Sequence, residues 1–245
     1  MDDNLIIRNQ IIIPEDYPED ISKKYSDIGL SAVYSKNETN LIIFEKLLLL
    51  QTYSEHILND LIILIIYNID KTSHIDAIKL LIKNGVNLNY TGHWNWTCPI
   101  YCSVKMKNIE IIKLLIENGA DINIKSCDSE YSLLMYLIEN SSSDKDVEII
   151  KLLISKNSQI NYQDVNGITP LMTYFHRQYN KIIRHDIIKL LLDNKADIYI
   201  KDKKGNNIFK YLENKPENDE YYSFIFNYKN LENDHFCEGD INFIY

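Results

Sequence analysis

The feature that most constrains the fold of this chain is an eight-residue segment that occurs four times. Its copies begin at Ile75, Ile109, Val147 and His185, which places them 34, 38 and 38 residues apart. Each copy has an acidic residue in second place and ends in Lys-Leu-Leu followed by Ile or Leu. A spacing in this range is typical of helical repeat units, which stack on their neighbours rather than folding around one central core.

Each copy predicts a helix that ends in a turn. The Ile and Leu side chains recur at helical spacing and form one apolar stripe. Residues that tolerate a left-handed backbone follow at once, and they predict the end of the helix. We align these residues as Asn84-Gly85, Asn118-Gly119, Asn157-Ser158 and Asn194-Lys195.

A second segment, residues 164–171, predicts the start of another helix. Its sequence is Asp-Val-Asn-Gly-Ile-Thr-Pro-Leu. Gly167 permits a tight turn, Thr169 can cap the next helix, and Pro170 suits the first helical position. Asn207 occupies the capping place one unit later. The chain therefore alternates two helices per unit, joined by a short projecting arm.

This unit resembles the ankyrin repeat, and the resemblance covers roughly residues 57–213. It implies an all-α ankyrin-repeat solenoid with short β-hairpin fingers and degenerate terminal units. We expect an extended N-terminal capping segment at residues 1–37, about five repeats at 38–213, and a degenerate capping unit with a tail at 214–245. The alternative for the N-terminal segment is that it is mobile until it meets a partner. The resemblance also implies a protein–protein interaction module without enzymatic activity.

Two units depart from the standard ankyrin spacing. About five extra residues separate their two helices, at 139–146 and near 177–184. These stretched units, together with an Ile-, Asn-, Lys- and Tyr-rich composition typical of an AT-rich genome, resemble the ankyrin proteins of poxviruses. That resemblance implies a host-range or immune-evasion factor that binds a host innate-immune or restriction protein. Many such proteins end in an F-box-like segment that recruits a cullin ubiquitin ligase, and no Leu-Pro-rich stretch of that kind is visible here. We therefore favour direct blocking of the host protein; the alternatives are a substrate adaptor for a cullin ubiquitin ligase and a cellular ankyrin scaffold.

Charge and composition narrow the class of partner. The chain carries 26 basic and 35 acidic side chains, and its formal charge of -9 repels nucleic acid and anionic lipid.

Its acidic start lacks the pattern of a secretory signal, and its longest apolar run is too short to span a bilayer, so we expect a cytoplasmic protein. No phosphate-binding loop or catalytic motif is present in the sequence, and we predict no enzyme, no cofactor and no small-molecule substrate.

The first candidate partner-binding residues lie on one predicted finger, Asn-Tyr-Thr-Gly-His-Trp-Asn-Trp-Thr, residues 89–97. They are Tyr90, His93, Trp94 and Trp96, and this segment holds both tryptophans of the chain. Tyrosine and tryptophan dominate binding hot spots because they bury a large rigid surface at small entropic cost. Alternatively, one indole packs on the neighbouring finger.

The second candidates lie in the last stretched loop, where Arg177, Lys181 and Arg184 stand with His176 and His185 in an otherwise acidic chain. One interpretation is a salt-dependent contact with an acidic partner or RNA. The other, which we favour, is a solvated loop.

A metal site is the weakest candidate. His93, Cys98 and Cys102, with Cys127 one unit along, could supply zinc ligands. Cys102, however, falls where the repeat takes a small apolar side chain, and free cysteines are often simply buried. We therefore predict no metal.

Overall fold

The computed structural model describes residues 55–67, 73–91, 98–126, 130–177, 184–212 and 225. Nine α-helices lie within these ranges. They are α1 (Glu55–Tyr67), α2 (Ser73–Lys83), α3 (Pro99–Lys105), α4 (Ile109–Glu117), α5 (Leu133–Glu139), α6 (Asp144–Ser155), α7 (Pro170–Arg177), α8 (His185–Asp193) and α9 (Ile208–Leu212).

The helices pair into stacked units. The first unit is α1 with α2, the second is α3 with α4, the third is α5 with α6, and the fourth is α7 with α8; α9 opens a fifth. Within each complete unit the two helices pack on each other, and across units α1 packs on α3, α5 on α7, α7 on α9 and α6 on α8. This arrangement confirms the all-α ankyrin solenoid.

The repeated apolar stripe forms the core. In each second helix the stripe side chains are essentially inaccessible to water, as Ile111 and Leu115 in α4 and Ile149 and Leu153 in α6 illustrate. The acidic and Lys residues of the same segments, such as Glu148 and Lys151, are exposed. Burial of this stripe between neighbouring units is the main stabilising term, since no unit encloses a core of its own.

The left-handed turns follow the second helices, with one correction in register. Gly85, Gly119 and Lys195 have φ of 79°, 91° and 66°, as predicted. In the third unit Lys156 is the C-cap of α6, and Asn157 takes the left-handed position with φ of 66°. Asn157 is therefore equivalent to the glycines and not to the asparagines before them. Asparagine tolerates this conformation better than most residues with a side chain.

The predicted helix start at Thr169 is confirmed. Its Oγ1 accepts a hydrogen bond from the N–H of Met172 at 3.2 Å, and α7 begins at Pro170. Ser132 caps α5 in the same way, accepting from the N–H of Met135 at 3.2 Å. Each cap satisfies a backbone donor that has no partner inside its helix.

The extra residues of the third unit form helix as well as loop, which corrects the prediction of a loop over 139–146. Helix α6 begins at Asp144 and has 12 residues, against nine in α4. Only residues 140–143 connect α5 to α6. The helix starts early because Ser143 and Asp146 form a capping box, in which the Asp146 carboxylate accepts from the Ser143 N–H at 2.9 Å.

The fingers are short loops instead of regular hairpins in the part of the chain described above. One isolated antiparallel bridge joins Lys125 to Ser132, and no longer strand occurs there. The next two fingers are the loops 164–168 and 202–206. The predicted capping segments, 1–37 and 214–245, lie outside the described residues except for Ile225, which is buried.

Candidate functional site

A ladder of asparagine side chains holds the arms of neighbouring units together. In each case one Asn oxygen accepts a hydrogen bond from a backbone N–H in the following unit. The pairs are Asn89 with Asp121, Asn123 with Gln159, and Asn161 with Asp197, at 2.7 to 2.9 Å. These bonds fix the position of each projecting arm relative to the next.

Two buried aspartates shape the last fingers. The Asp164 carboxylate accepts from the N–H groups of Asn166 and Ile168, both at 2.8 Å. Asp202 accepts in the same way from the N–H groups of Lys204 and Asn206, both at 2.8 Å. Each carboxylate thus closes a tight loop from the inside, and its charge is directed away from solvent.

Asp202 is held in its ionised form. The Tyr211 hydroxyl donates to its second oxygen at 2.8 Å, and the Asn206 amide donates at 3.1 Å. Burial works to raise the pKa of Asp202, but the hydrogen bonds from Asn206, Tyr211 and Lys204 outweigh burial and lower that pKa. Burial and the neighbouring carboxylate together raise the pKa of Tyr211.

The two fingers are packed against each other. The Lys203 N–H donates to the Asn166 carbonyl at 2.9 Å, and the Gln163 side-chain amide donates to the Lys201 carbonyl at 2.9 Å. Gly167 makes this approach possible: a Cβ there would lie 2.8 Å from the Lys203 nitrogen and 2.9 Å from the Asp202 Cα. Its φ of 79° also favours glycine.

The outer side of these fingers is basic and partly apolar. Lys201, Lys203 and Lys204 are exposed, while Asp202 between them is buried. Val165 is 37% exposed and Tyr199 is 56% exposed on the same arms. The sequence pattern at residues 202–207 predicts a turn and a helix cap but not this surface. The signal that could have revealed it is Lys-Asp-Lys-Lys in a chain with a net charge of -9.

The predicted tryptophan finger lies mostly outside the described residues. Tyr90 is half-buried, and its N–H donates to the Asn87 carbonyl at 3.2 Å. His93, Trp94 and Trp96 lie outside the described residues, so their contact with a partner stays a prediction.

The predicted basic residues of the fourth unit are only partly described. Arg177 is the last residue of α7, and Lys181 lies outside the described residues. Arg184 precedes α8, and its guanidinium donates to Asp186 at 2.7 Å and to Asp144 of the third unit at 2.9 Å. Its side chain is only 16% exposed. The hydrogen bond with Asp186 contributes most to raising the pKa of Arg184, and it lowers the pKa of Asp186.

A second charged link joins the second and third units. The Lys107 ammonium lies 2.7 Å and 2.8 Å from the two carboxylate oxygens of Asp146, which has no exposed surface. Burial would raise the pKa of Asp146, but hydrogen bonds from Lys107, Ser142 and Ser143 outweigh burial and lower that pKa. Together with the bond between Arg184 and Asp144, this link connects three units on the side of the interhelical loops.

The two cysteines that the structure describes are buried. Cys98 and Cys102 have no exposed surface. Burial raises the pKa of the Cys98 thiol to about 12 and also raises that of Cys102, so both are protonated at neutral pH. His93 and Cys127 lie outside the described residues. Within the ranges given above, no group of three His, Cys, Asp or Glu side chains is placed to hold a metal ion.

A stack of helix pairs that fixes its projecting loops through backbone and side-chain hydrogen bonds defines a repeat protein of the interaction class. Sequence models of ankyrin repeats match the chain in two places: one with three copies at residues 32–126, and one with a single repeat at 166–203. The two matches together cover more than half of the chain. The chain therefore belongs to the ankyrin-repeat family.

No curated protein matches the chain. The residues between the two family matches, 127–165, contain the third unit. That unit has the same helix pair as the others, but α6 is longer and Asn157 replaces the usual turn glycine.

Ankyrin repeats make this chain a protein–protein interaction module, and members of the family are typically non-enzymatic scaffolds. Its partners are accordingly proteins. No helix among the described residues is long and apolar enough to cross a bilayer.

Proposed function

We propose that this protein is a viral host-range or immune-evasion factor that binds a host innate-immune or restriction protein in the cytoplasm and blocks it by occlusion. The observation that carries the binding role is the set of asparagine bonds between successive units. These bonds hold the projecting loops in fixed positions, and a preorganised surface loses less entropy when it binds. The poxvirus-like stretched units and the AT-rich composition support the viral part of the proposal.

The experiment is affinity purification of the tagged protein from mammalian cells, with mass spectrometry of the retained proteins. Wild type is compared with the double variant Trp94→Ala/Trp96→Ala. Met106→Ala serves as the matched control, because Met106 is a 40% exposed apolar side chain in the turn between α3 and α4. We expect an innate-immune protein to be retained by wild type and by the control and to be lost from the double variant.

A second readout separates the alternatives. Occlusion leaves the abundance of the host protein unchanged and gives a stable one-to-one complex. A substrate adaptor for a cullin ubiquitin ligase instead lowers the abundance of its partner and retains ligase subunits. A cellular ankyrin scaffold retains no specific mammalian protein and binds partners from its own organism. Either of the last two results would overturn the proposal.

A further inference from the structure

The loop at residues 201–204 carries three exposed lysines in a chain whose net charge is -9. We define the basic loop surface as Lys201, Lys203 and Lys204 with the exposed Tyr199 of the same arm and the exposed Val165 of the preceding finger, which is bonded to the lysine loop through Asn166 and Lys203. We propose that this surface binds an acidic, partly apolar segment of a partner protein. The proposal rests on the proposed function as a binding module and adds the location and the chemistry of the contact.

The charge of the surface is the first argument. The three lysines are exposed, and none of them forms an ion pair with a carboxylate in the described ranges. Asp202, the one acidic residue among them, is 7% exposed and accepts hydrogen bonds within its own loop. The loop therefore presents three positive charges to solvent and no exposed negative one. Such a patch attracts acidic segments and speeds their encounter.

The rigidity of the loops is the second argument. The Lys203 N–H and the Lys201 carbonyl are both used in bonds to the preceding finger, at 2.9 Å each. The Asp202 carboxylate fixes the backbone of Lys204 at 2.8 Å. Because the backbone of the loop is already fixed, binding has to order side chains and not the chain itself, which keeps the entropic cost of binding low.

The apolar component is the third argument, and it favours protein over nucleic acid. The exposed large apolar side chains of the described residues are Met106, Val165 and Tyr199, and two of the three belong to this surface. A peptide that combines Glu or Asp with a Leu satisfies both the charge and the apolar contact. A nucleic acid backbone would satisfy only the charge, and the net charge of -9 repels it as a whole.

The test uses the full chain and three fluorescein-labelled probes: a short Glu-Glu-Leu repeat peptide, a Gln-Gln-Leu peptide of the same length, and a single-stranded RNA. Fluorescence anisotropy measures the affinity of each. The variant Lys201→Gln/Lys203→Gln/Lys204→Gln is compared with Lys83→Gln/Lys113→Gln/Lys151→Gln, which changes net charge equally at exposed positions on the second helices.

We expect wild type to bind the Glu peptide more tightly than the other two probes, with an affinity that falls as NaCl is raised. Removing the three loop lysines should weaken this binding about tenfold or more, since each exposed charge contributes modestly. The control should stay within about twofold of wild type, because its lysines lie outside the proposed contact. The reversed variant Lys201→Glu/Lys203→Glu/Lys204→Glu should gain affinity for a Lys-Lys-Leu peptide, which excludes loss of fold as the cause.

Equal binding of the Glu and Gln peptides, equal losses in the two triple variants, or tighter binding of RNA would overturn the inference. None of these results bears on capture of a host protein by wild type. The proposal for the basic loop surface can therefore be wrong while the proposed function is right. Conversely, wild type can capture no host protein although the surface binds the acidic peptide.

Discussion

Gly167 lies where the last two described fingers pack against each other. Gly167→Ala would place a Cβ 2.8 Å from the Lys203 nitrogen, and it would also hold alanine at a φ of 79°. We expect a loss of roughly 2–4 kcal/mol in the free energy of unfolding, since the left-handed conformation alone costs about 1–2 kcal/mol and the backbone clash adds to it. Urea denaturation followed by circular dichroism measures this change.

Gly205→Ala is the matched control for that prediction. Gly205 has a φ of 81°, but nothing lies within 4 Å of the Cβ that it would acquire. The Gly205→Ala variant should lose only the cost of the left-handed backbone conformation, about 1–2 kcal/mol in the free energy of unfolding. If the two alanine variants are equally stable, close packing of the fingers is not what requires glycine at position 167.

Lys107 neutralises a buried carboxylate from another unit. Lys107→Met keeps the aliphatic stem but leaves Asp146 with only the hydrogen bonds from Ser142 and Ser143. We expect a loss of about 1–3 kcal/mol in the free energy of unfolding, because a buried charge loses its partner. Lys189→Met, which removes an exposed pair with Asp193, should cost only about 0.3–0.5 kcal/mol. Urea midpoints of the two variants that differ by less than the error of measurement would contradict this assignment.

At the scale of the structural element, the asparagine ladder couples one arm to the next. Asn161 makes two such bonds, donating to the Lys195 carbonyl at 2.9 Å and accepting from the Asp197 N–H at 2.8 Å. Asn161→Ala should therefore cost about 1–3 kcal/mol at the boundary between the third and fourth units. Hydrogen exchange is the direct measurement, and protection should fall first in the amides of residues 195–199.

Asn194→Ala removes a bond of the same type, from the side-chain amide to the Leu190 carbonyl at 2.8 Å, but within one unit. It should leave exchange in the neighbouring unit unchanged. If both variants lower protection across the boundary to the same extent, the ladder does not carry the coupling.

The sequence predicts the elements that depend on local patterns. The apolar stripe, the turn at Gly167 and the cap at Thr169 are all read within a few residues, and the structure confirms each of them. The early start of α6 also had a local signal, the Ser143 and Asp146 capping box, which the comparison with standard repeat spacing obscured. Helices of this type are set by neighbours three or four residues away.

Contacts between units could not be predicted from local sequence patterns. Lys107 and Asp146 are 39 residues apart, and they meet only because the third unit is stretched and α6 starts early. The basic loop surface depends on Asp202 turning inward, which is decided by the hydrogen bonds of Asn206 and Tyr211. Long-range pairs of this kind require the stacking geometry, which no local pattern contains.

At the scale of the whole molecule, paired carboxylates tie consecutive units to one another. Asp146 binds Lys107 of the preceding unit, and Asp186 holds the arginine that reaches back to Asp144. Asp202 instead fixes the last described finger from within, through bonds to its own loop and to Tyr211 of α9. The pKa of each of Asp146, Asp186 and Asp202 is lowered in the folded protein. Their ionised forms therefore stabilise the stack as a whole.

This arrangement predicts acid sensitivity with a definite sign. Because these pKa values are lower in the folded state, the unfolded chain takes up protons first as the pH falls through the ordinary range of aspartate, near 3.8. The urea midpoint should be nearly constant between about pH 6 and 8. It should decrease below about pH 4, as the pH falls toward the lowered pKa values of these aspartates in the folded state. Asp146→Asn should be less stable than wild type at neutral pH, and the two curves should converge on acidification. Parallel curves would show that ionised Asp146 does not stabilise the stack. A solenoid unfolds one unit at a time when its interfaces weaken. The urea unfolding transition measured at acid pH should therefore also be broader than the one measured at neutral pH.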